Sequence, residues 1–173
     1  MTRLTAHPRR RRAYLFAGIV CGIAALTFAA FGSHRSRVVY NPSNSVPVGW
    51  YRIETATALS VGDIVLVNLP PQSALFAAHR GYLPAHIPLL KSIAALPPQR
   101  VCMEGSQLRI DGIPTAVALR ADHRSRPLPI WRHCRRLSEG EIFVASTHNP
   151  WSFDSRYFGP VTVADVLGKA HKF

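Results

Sequence analysis

Residues 13–32, AYLFAGIVCGIAALTFAAFG, run for 20 positions without a charged side chain. No other segment limits the fold so strongly, because a helix needs roughly this many apolar residues to cross the hydrocarbon core of a bilayer. Four consecutive arginines, Arg9 to Arg12, stand at its entrance. Basic clusters stay on the cytoplasmic side of such spans. Residues 1–12 are therefore expected in the cytoplasm, residues 13–32 as a transmembrane anchor, and residues 33–173 on the far side, in the periplasm or exterior. Arg35 and Arg37 beyond the run weaken the asymmetry. A cleaved signal peptide is the competing reading, with Ala30-Phe31-Gly32 as its junction. The run exceeds the roughly 7–15 residues of a usual signal core, which favours a retained anchor.

About 140 residues remain outside the membrane, enough for one domain with a real core. The formal charge is +12, yet five of the 21 basic residues lie in the first twelve positions, while all nine acids lie beyond the apolar run. Arg120, Arg124, Arg126, Arg132, Arg135 and Arg136 crowd one stretch that prolines interrupt. They read as a solvated loop, with anionic inner-membrane lipid or an acidic partner as the sharper alternative. No helix-turn-helix, finger or aromatic RNA-binding pattern accompanies them, so no nucleic-acid partner is expected. Eight histidines show neither an H-x-x-x-H pair nor a Cys/His pair of pairs, and neither a metal nor another cofactor is expected.

Beyond the run, apolar residues come in short β-rich bursts. Residues 50–53, 63–68 (DIVLVN), 89–95, 100–103 and 141–146 (EIFVAS) read as strands, bounded by Gly or Pro. Asp111-Gly112 between Ile110 and Ile113 signals a tight hairpin. A short helix is expected over residues 72–82, where Ala74, Leu75, Ala78 and Tyr82 share a face. The domain is thus expected to be mainly β and antiparallel, as a sheet or barrel-like arrangement.

Lysine usage singles out one residue. Of 18 arginines and three lysines, two lysines sit in the last five positions, and the third is Lys91. On a strand, Lys91 points the same way as Leu89, Ile93 and Ala95. An ammonium on an apolar face is costly, but a desolvated lysine can shed its proton as an arginine cannot, and the neutral amine is a general base. A solvent-facing or snorkelling lysine is the plainer reading of this segment alone.

A nucleophile to match it occurs in Asn41-Pro42-Ser43-Asn44-Ser45-Val46-Pro47-Val48-Gly49-Trp50-Tyr51, although Ser-x-Ser beside prolines is by itself ordinary turn chemistry. P-S-x-S-x-P shortly after an N-terminal anchor resembles the nucleophile box of type I signal peptidases. The longer N-P-S-x-S-V-P-x-G-x-Y is similar to their conjugative-transfer (TraF-type) branch. Three more segments agree in order: Gly62-Asp63-Ile64-Val65, the run from Leu89 through Lys91 to Pro97, and Ser152-Phe153-Asp154-Ser155-Arg156-Tyr157-Phe158-Gly159. Together they span residues 41 to 168.

The resemblance implies a signal-peptidase catalytic domain in which Ser45 is the nucleophile and Lys91 its general base. It also implies that the Ser45 backbone N–H and the Ser43 hydroxyl bind the oxyanion, that Ser152 orients Lys91, and that Asp154 and Arg156 pair to hold the closing segment. Asp154 is read as structural, since a Ser/Lys dyad needs no carboxylate. Val46, Ser92, Pro98-Gln99-Arg100 and Thr147-His148-Asn149 depart from the housekeeping enzymes, and there is no second apolar span. These departures favour the compact conjugative type. The implied substrate is a precursor protein, a pilin among them, cut and in some cases cyclised, in the company of conjugation or type IV secretion components. A general secretory peptidase and a noncatalytic periplasmic pilus-assembly factor are the alternatives. Cys102 and Cys134 both fall outside the membrane, where a bridge between them is expected over free buried thiols.

Overall fold

The computed structural model describes Tyr14, residues 16–23 and residues 37–173. Tyr14 and residues 16–23 are helical and exposed. No helix among the described residues is long and apolar enough to cross a membrane. Most of the expected anchor, and the whole basic segment 1–12, lie outside the described residues.

Two compact units divide the chain, and Ser36–Phe173 is the larger. It is built from antiparallel sheets, as its short β-branched bursts require. One sheet has the strand order β1-β2-β11-β3-β4-β9-β10. Its members are β1 (Arg37–Asn41), β2 (Gly49–Glu54), β3 (Ile64–Val67), β4 (Leu89–Ala95), β9 (Glu141–Val144), β10 (Val161–Thr162) and β11 (Val166–Lys172). The second sheet, in the order β7-β6-β5-β8, comprises β5 (Arg100–Glu104), β6 (Gln107–Ile110), β7 (Ile113–Val117) and β8 (Cys134–Arg136). Strands β1 and β10 are the two ends of the larger sheet, so among the described residues it is open rather than closed into a barrel.

Local chemistry accounts for the connections. Asp111 and Gly112 both take positive φ, 50° and 83°, and pair Ile110 with Ile113 across the hairpin, the backbone a two-residue primed turn demands. Helix α1 (Pro71–Arg80) starts on a proline, whose missing N–H is no loss at that position, and stops at Gly81 in the left-handed conformation. Helix α2 (Ser155–Phe158) is a single turn capped by Asp154, whose side chain accepts from the Arg156 N–H.

Three buried clusters hold these layers. Leu108, Val101, Ala95 and Phe143 join the smaller sheet to β4 and β9. Val65, Val67, Ile93 and Val144 fill the centre of the larger sheet. Val46, Tyr51, Leu66 and Leu90 pack beneath the turn between β1 and β2. A Cys102–Cys134 disulfide links β5 to β8. The 32-residue separation it spans takes in Arg120, Arg124, Arg126 and Arg132 of the arginine-rich stretch, so it shortens that excursion in the unfolded chain.

Strand β11 passes β2 at very close range. A Cβ on Gly168, where φ is 158°, would lie 2.4 Å from the Glu54 carbonyl oxygen. Gly168→Ala is therefore expected to destabilise the domain by about 1–3 kcal/mol, as overpacking does, lowering the urea midpoint; an unchanged midpoint would contradict the close approach.

Candidate active site

The turn from Asn41 to Gly49 presents Ser45, and two flanking side chains clasp it. Asn41, only 5% exposed, donates through Nδ2 to the carbonyls of Ser43 (2.8 Å), Val46 (3.0 Å) and Pro47 (3.3 Å). Its Oδ1 accepts from the Ser43 N–H and the Ser43 hydroxyl. From β2, the buried Tyr51 hydroxyl donates to the Pro47 carbonyl at 2.6 Å. In the sequence Asn41 and Tyr51 are motif residues with no evident task of their own. The signal available was the pairing of a turn-forming Asn with an aromatic hydroxyl at the two ends of a Pro-rich turn.

Lys91 reaches the same point from β4. Alternation along the strand buries Lys91, Ile93 and Ala95 together, the less plain of the two readings of this segment, and Lys91 is 3% exposed. Its Nζ lies 2.6 Å from Ser45 Oγ and 2.6 Å from Ser152 Oγ. Burial lowers the pKa of Lys91 to about 8 from an ordinary 10.5; the Asp154 carboxylate pulls it back up, and the Arg156 guanidinium adds to the lowering. Near neutrality a useful fraction of the amine is thus free of its proton, already in contact with a hydroxyl it can deprotonate.

The closing segment is fastened by a buried ion pair. Arg156 Nε and Nη2 each lie 2.8 Å from an Asp154 carboxylate oxygen, and both residues are fully buried. Arg156 also donates to the carbonyls of Ser152 (2.9 Å) and Val117 (2.5 Å), while Asp154 accepts from the Ser146 N–H. Desolvated charges are tolerable when paired and hydrogen-bonded on all sides, as here. The result is mechanical: β7, the Ser146 turn and the Ser152 loop are tied at one knot, and Ser152 is held against Lys91. Ser43 is exposed beside Ser45, with its hydroxyl directed to Asn41.

A cavity of about 340 Å³ opens onto both Ser45 and Lys91. Its walls are largely apolar, with Leu89, Leu90, Phe153 and Tyr157 among them. Along its floor β4 has a free edge: residues 89–92 pair with β3, while β9 joins β4 only from Ile93 onward. The far wall is closed by an ionic hub. Asp122, 8% exposed, accepts from the Tyr82 hydroxyl, Arg126 Nε and the N–H groups of Arg124 and Arg126. Burial favours the neutral acid, but these donors hold the Asp122 carboxyl below the usual carboxylate range.

The arginine-rich stretch is thus only partly a solvated loop. Arg120, Arg124, Arg132 and Arg136 are exposed, whereas Arg126 braces Asp122 and Arg135 forms a two-pronged pair with Glu141.

Comparison with known proteins agrees with the family resemblance in the sequence. The signal peptidase family, peptidase S26, matches residues 10–173. A probable conjugal transfer protein TraF from Sinorhizobium fredii is 35% identical over 99% of this chain and 95% of its own. A plasmid transfer protein TraF from Escherichia coli is 31% identical, covering 86% and 88%. A conjugal transfer protein TraF from Agrobacterium tumefaciens is 35% identical, covering 94% and 95%. A signal peptidase I crystal structure from Enterococcus faecalis superposes with a TM-score of 0.40 at 21% identity, over 66% of this chain and 98% of that one.

The depressed pKa of Lys91 has a sign that can be tested without any substrate. Between about pH 8 and 10.5 the folded chain has released a proton that the unfolded chain still holds, so stability rises with pH across that window. Lys91→Met removes the buried charge. It is expected to raise the denaturant midpoint at pH 7, with the advantage over the natural chain shrinking as pH climbs from 8 to 10.5. A constant difference across that range would contradict the burial argument.

Proposed function

Because the chain belongs to the signal peptidase family, peptidase S26, we propose that it is a membrane-anchored serine endopeptidase using Ser45 and Lys91, and that its substrate is a conjugative pilin precursor. One observation carries the chemical half of this reading: the Lys91 amine sits 2.6 Å from the Ser45 hydroxyl in a buried site. Neutral Lys91 takes the Ser45 proton as Oγ attacks the scissile carbonyl. The Ser45 N–H and the Ser43 hydroxyl receive the oxyanion. As the tetrahedral adduct collapses, protonated Lys91 returns its proton to the leaving amine, and an ester remains on Ser45. Ser152 keeps the amine aimed through this exchange. Asp154 and Arg156 hold Ser152 in place and take no proton.

The substrate half rests on the free edge of β4 and on the conjugal names of the relatives. An extended precursor segment adds as a strand beside residues 89–91, placing a peptide carbonyl over Ser45 and side chains in the apolar cavity. Resolution of the ester by water gives a linear product; resolution by the precursor's own amine gives a ring. Residues 13–32 keep this chemistry at the inner membrane, with residues 33–173 in the periplasm, beside other components of the conjugation machinery.

Ser45→Ala and Lys91→Arg test the reading together. Each is expected to abolish processing, since arginine supplies no neutral amine. Mass spectrometry of the mutant strains is expected to find one unprocessed pilin. A broad set of uncut preproteins would instead assign a housekeeping secretory role. Normal processing in both variants would leave the chain a noncatalytic assembly factor, and normal turnover by Lys91→Arg alone would overturn the neutral-amine mechanism.

A further inference from the structure

Asn41 carries an arrangement that holding a turn does not by itself explain. Its Oδ1 accepts twice from one residue: 3.2 Å from the Ser43 backbone N–H and 3.0 Å from the Ser43 hydroxyl. The other half of the amide is fully engaged, with Nδ2 shared among three carbonyls of the same turn. A buried side chain thus fixes the loop and, at the same time, occupies the hydroxyl of Ser43, a residue that lines the cavity beside Ser45.

We propose that Asn41 is a positioning residue that parks the Ser43 hydroxyl in the free enzyme and yields it to the oxyanion of the substrate. The inference rests on the reading of Ser43 as an oxyanion donor given above. Ser43 is exposed and lines the cavity, so its side chain has room to turn the hydroxyl from Oδ1 toward the substrate. Oδ1 is not orphaned by that movement, because the Ser43 N–H still donates to it, so the penalty for an unsatisfied buried acceptor does not arise.

The competition between the two acceptors gives the arrangement its value. A neutral peptide carbonyl offers the hydroxyl little more than the amide oxygen already does. A developing oxyanion offers a charge-assisted hydrogen bond, roughly twice as strong. Ser43 therefore turns toward the substrate mainly as negative charge appears, and the interaction accrues to the transition state rather than to the bound ground state. Such a device acts on kcat and leaves KM nearly unchanged.

A double-mutant cycle on the full chain tests this, with the precursor that accumulates in the Ser45→Ala strain as substrate. Ser43→Ala is expected to lower kcat about 100-fold, as loss of one oxyanion donor does, with Ser43→Thr restoring most of it. Asn41→Ala and Asn41→Asp are each expected to lower kcat tenfold or more with KM within about twofold, the alanine because the Ser43 side chain is then no longer held in one orientation beside Ser45, the aspartate because its charge holds the Ser43 proton harder. In the Ser43→Ala background both Asn41 losses should shrink several-fold, while the acid limb that Lys91 imposes on the pH profile stays in place throughout. Equal Asn41 losses in both backgrounds, a rise in KM alone, a moved acid limb, or collapse of the melting transition in both Asn41 variants would each assign Asn41 to scaffolding only and overturn the inference. Full activity of Ser43→Ala would instead remove the oxyanion reading on which it rests.

Discussion

A buried amine held between two hydroxyls is the constraint to which the rest of this structure answers. Lys91 is almost wholly removed from water, and the hydroxyls of Ser45 and Ser152 are its hydrogen-bond partners. An ammonium in that setting is costly, and part of the cost is relieved by release of the proton. The same burial that destabilises the charged form makes the group a base near neutral pH. Stability and chemistry are opposed at this one side chain, and the surrounding fold has to supply the difference.

It does so with long-range fastenings. Strand β4 is central in its sheet, paired with β3 along its first half and β9 along its second, so the backbone at Lys91 is fixed by β3 on one side only. The change of partner leaves the free edge where an extended peptide can lie. Opposite it, the Asp154–Arg156 knot reaches Ser146, Ser152 and Val117, so Ser152, whose hydroxyl meets the amine, is tied through it to two other stretches of chain. The turn that carries Ser45 is held by Asn41 and Tyr51 from the strands that flank it. Each partner of Lys91 therefore arrives on an independently braced segment, as a site tuned to tenths of an ångström requires.

Much of this was legible in the sequence. The span of β4 followed from the short apolar run at 89–95, whereas the burial of Lys91 was the less plain reading of that segment until the serine motif at 41–51 gave it a partner. The Asp111-Gly112 hairpin followed from turn chemistry, and helix α1 fell within a residue or two of the pattern at 72–82. The motif order brought Ser45, Lys91, Ser152, Asp154 and Arg156 under one family, and they lie together. What the sequence hid was every contact made at long range between residues with ordinary local roles. Asn41 looked like a turn former, and its grip on Ser43, Val46 and Pro47 appears only when the turn closes. Asp122 looked like a lone acid in a basic loop; its hub depends on Tyr82, 40 residues away. The barrel-like expectation resolved into an open sheet because closure depends on strand pairing that no local pattern encodes. The predicted anchor, residues 13–32, lies largely outside the described residues.

Direct titration of the Lys91 side chain tests the central claim most plainly. With three lysines in the chain, selective isotope labelling of lysine and NMR of the full-length protein in detergent micelles resolve each amine, and Lys91→Met assigns the signal. The account predicts a midpoint near pH 8 for Lys91. A Lys91 signal that stays cationic up to the ordinary value of 10.5 would contradict it.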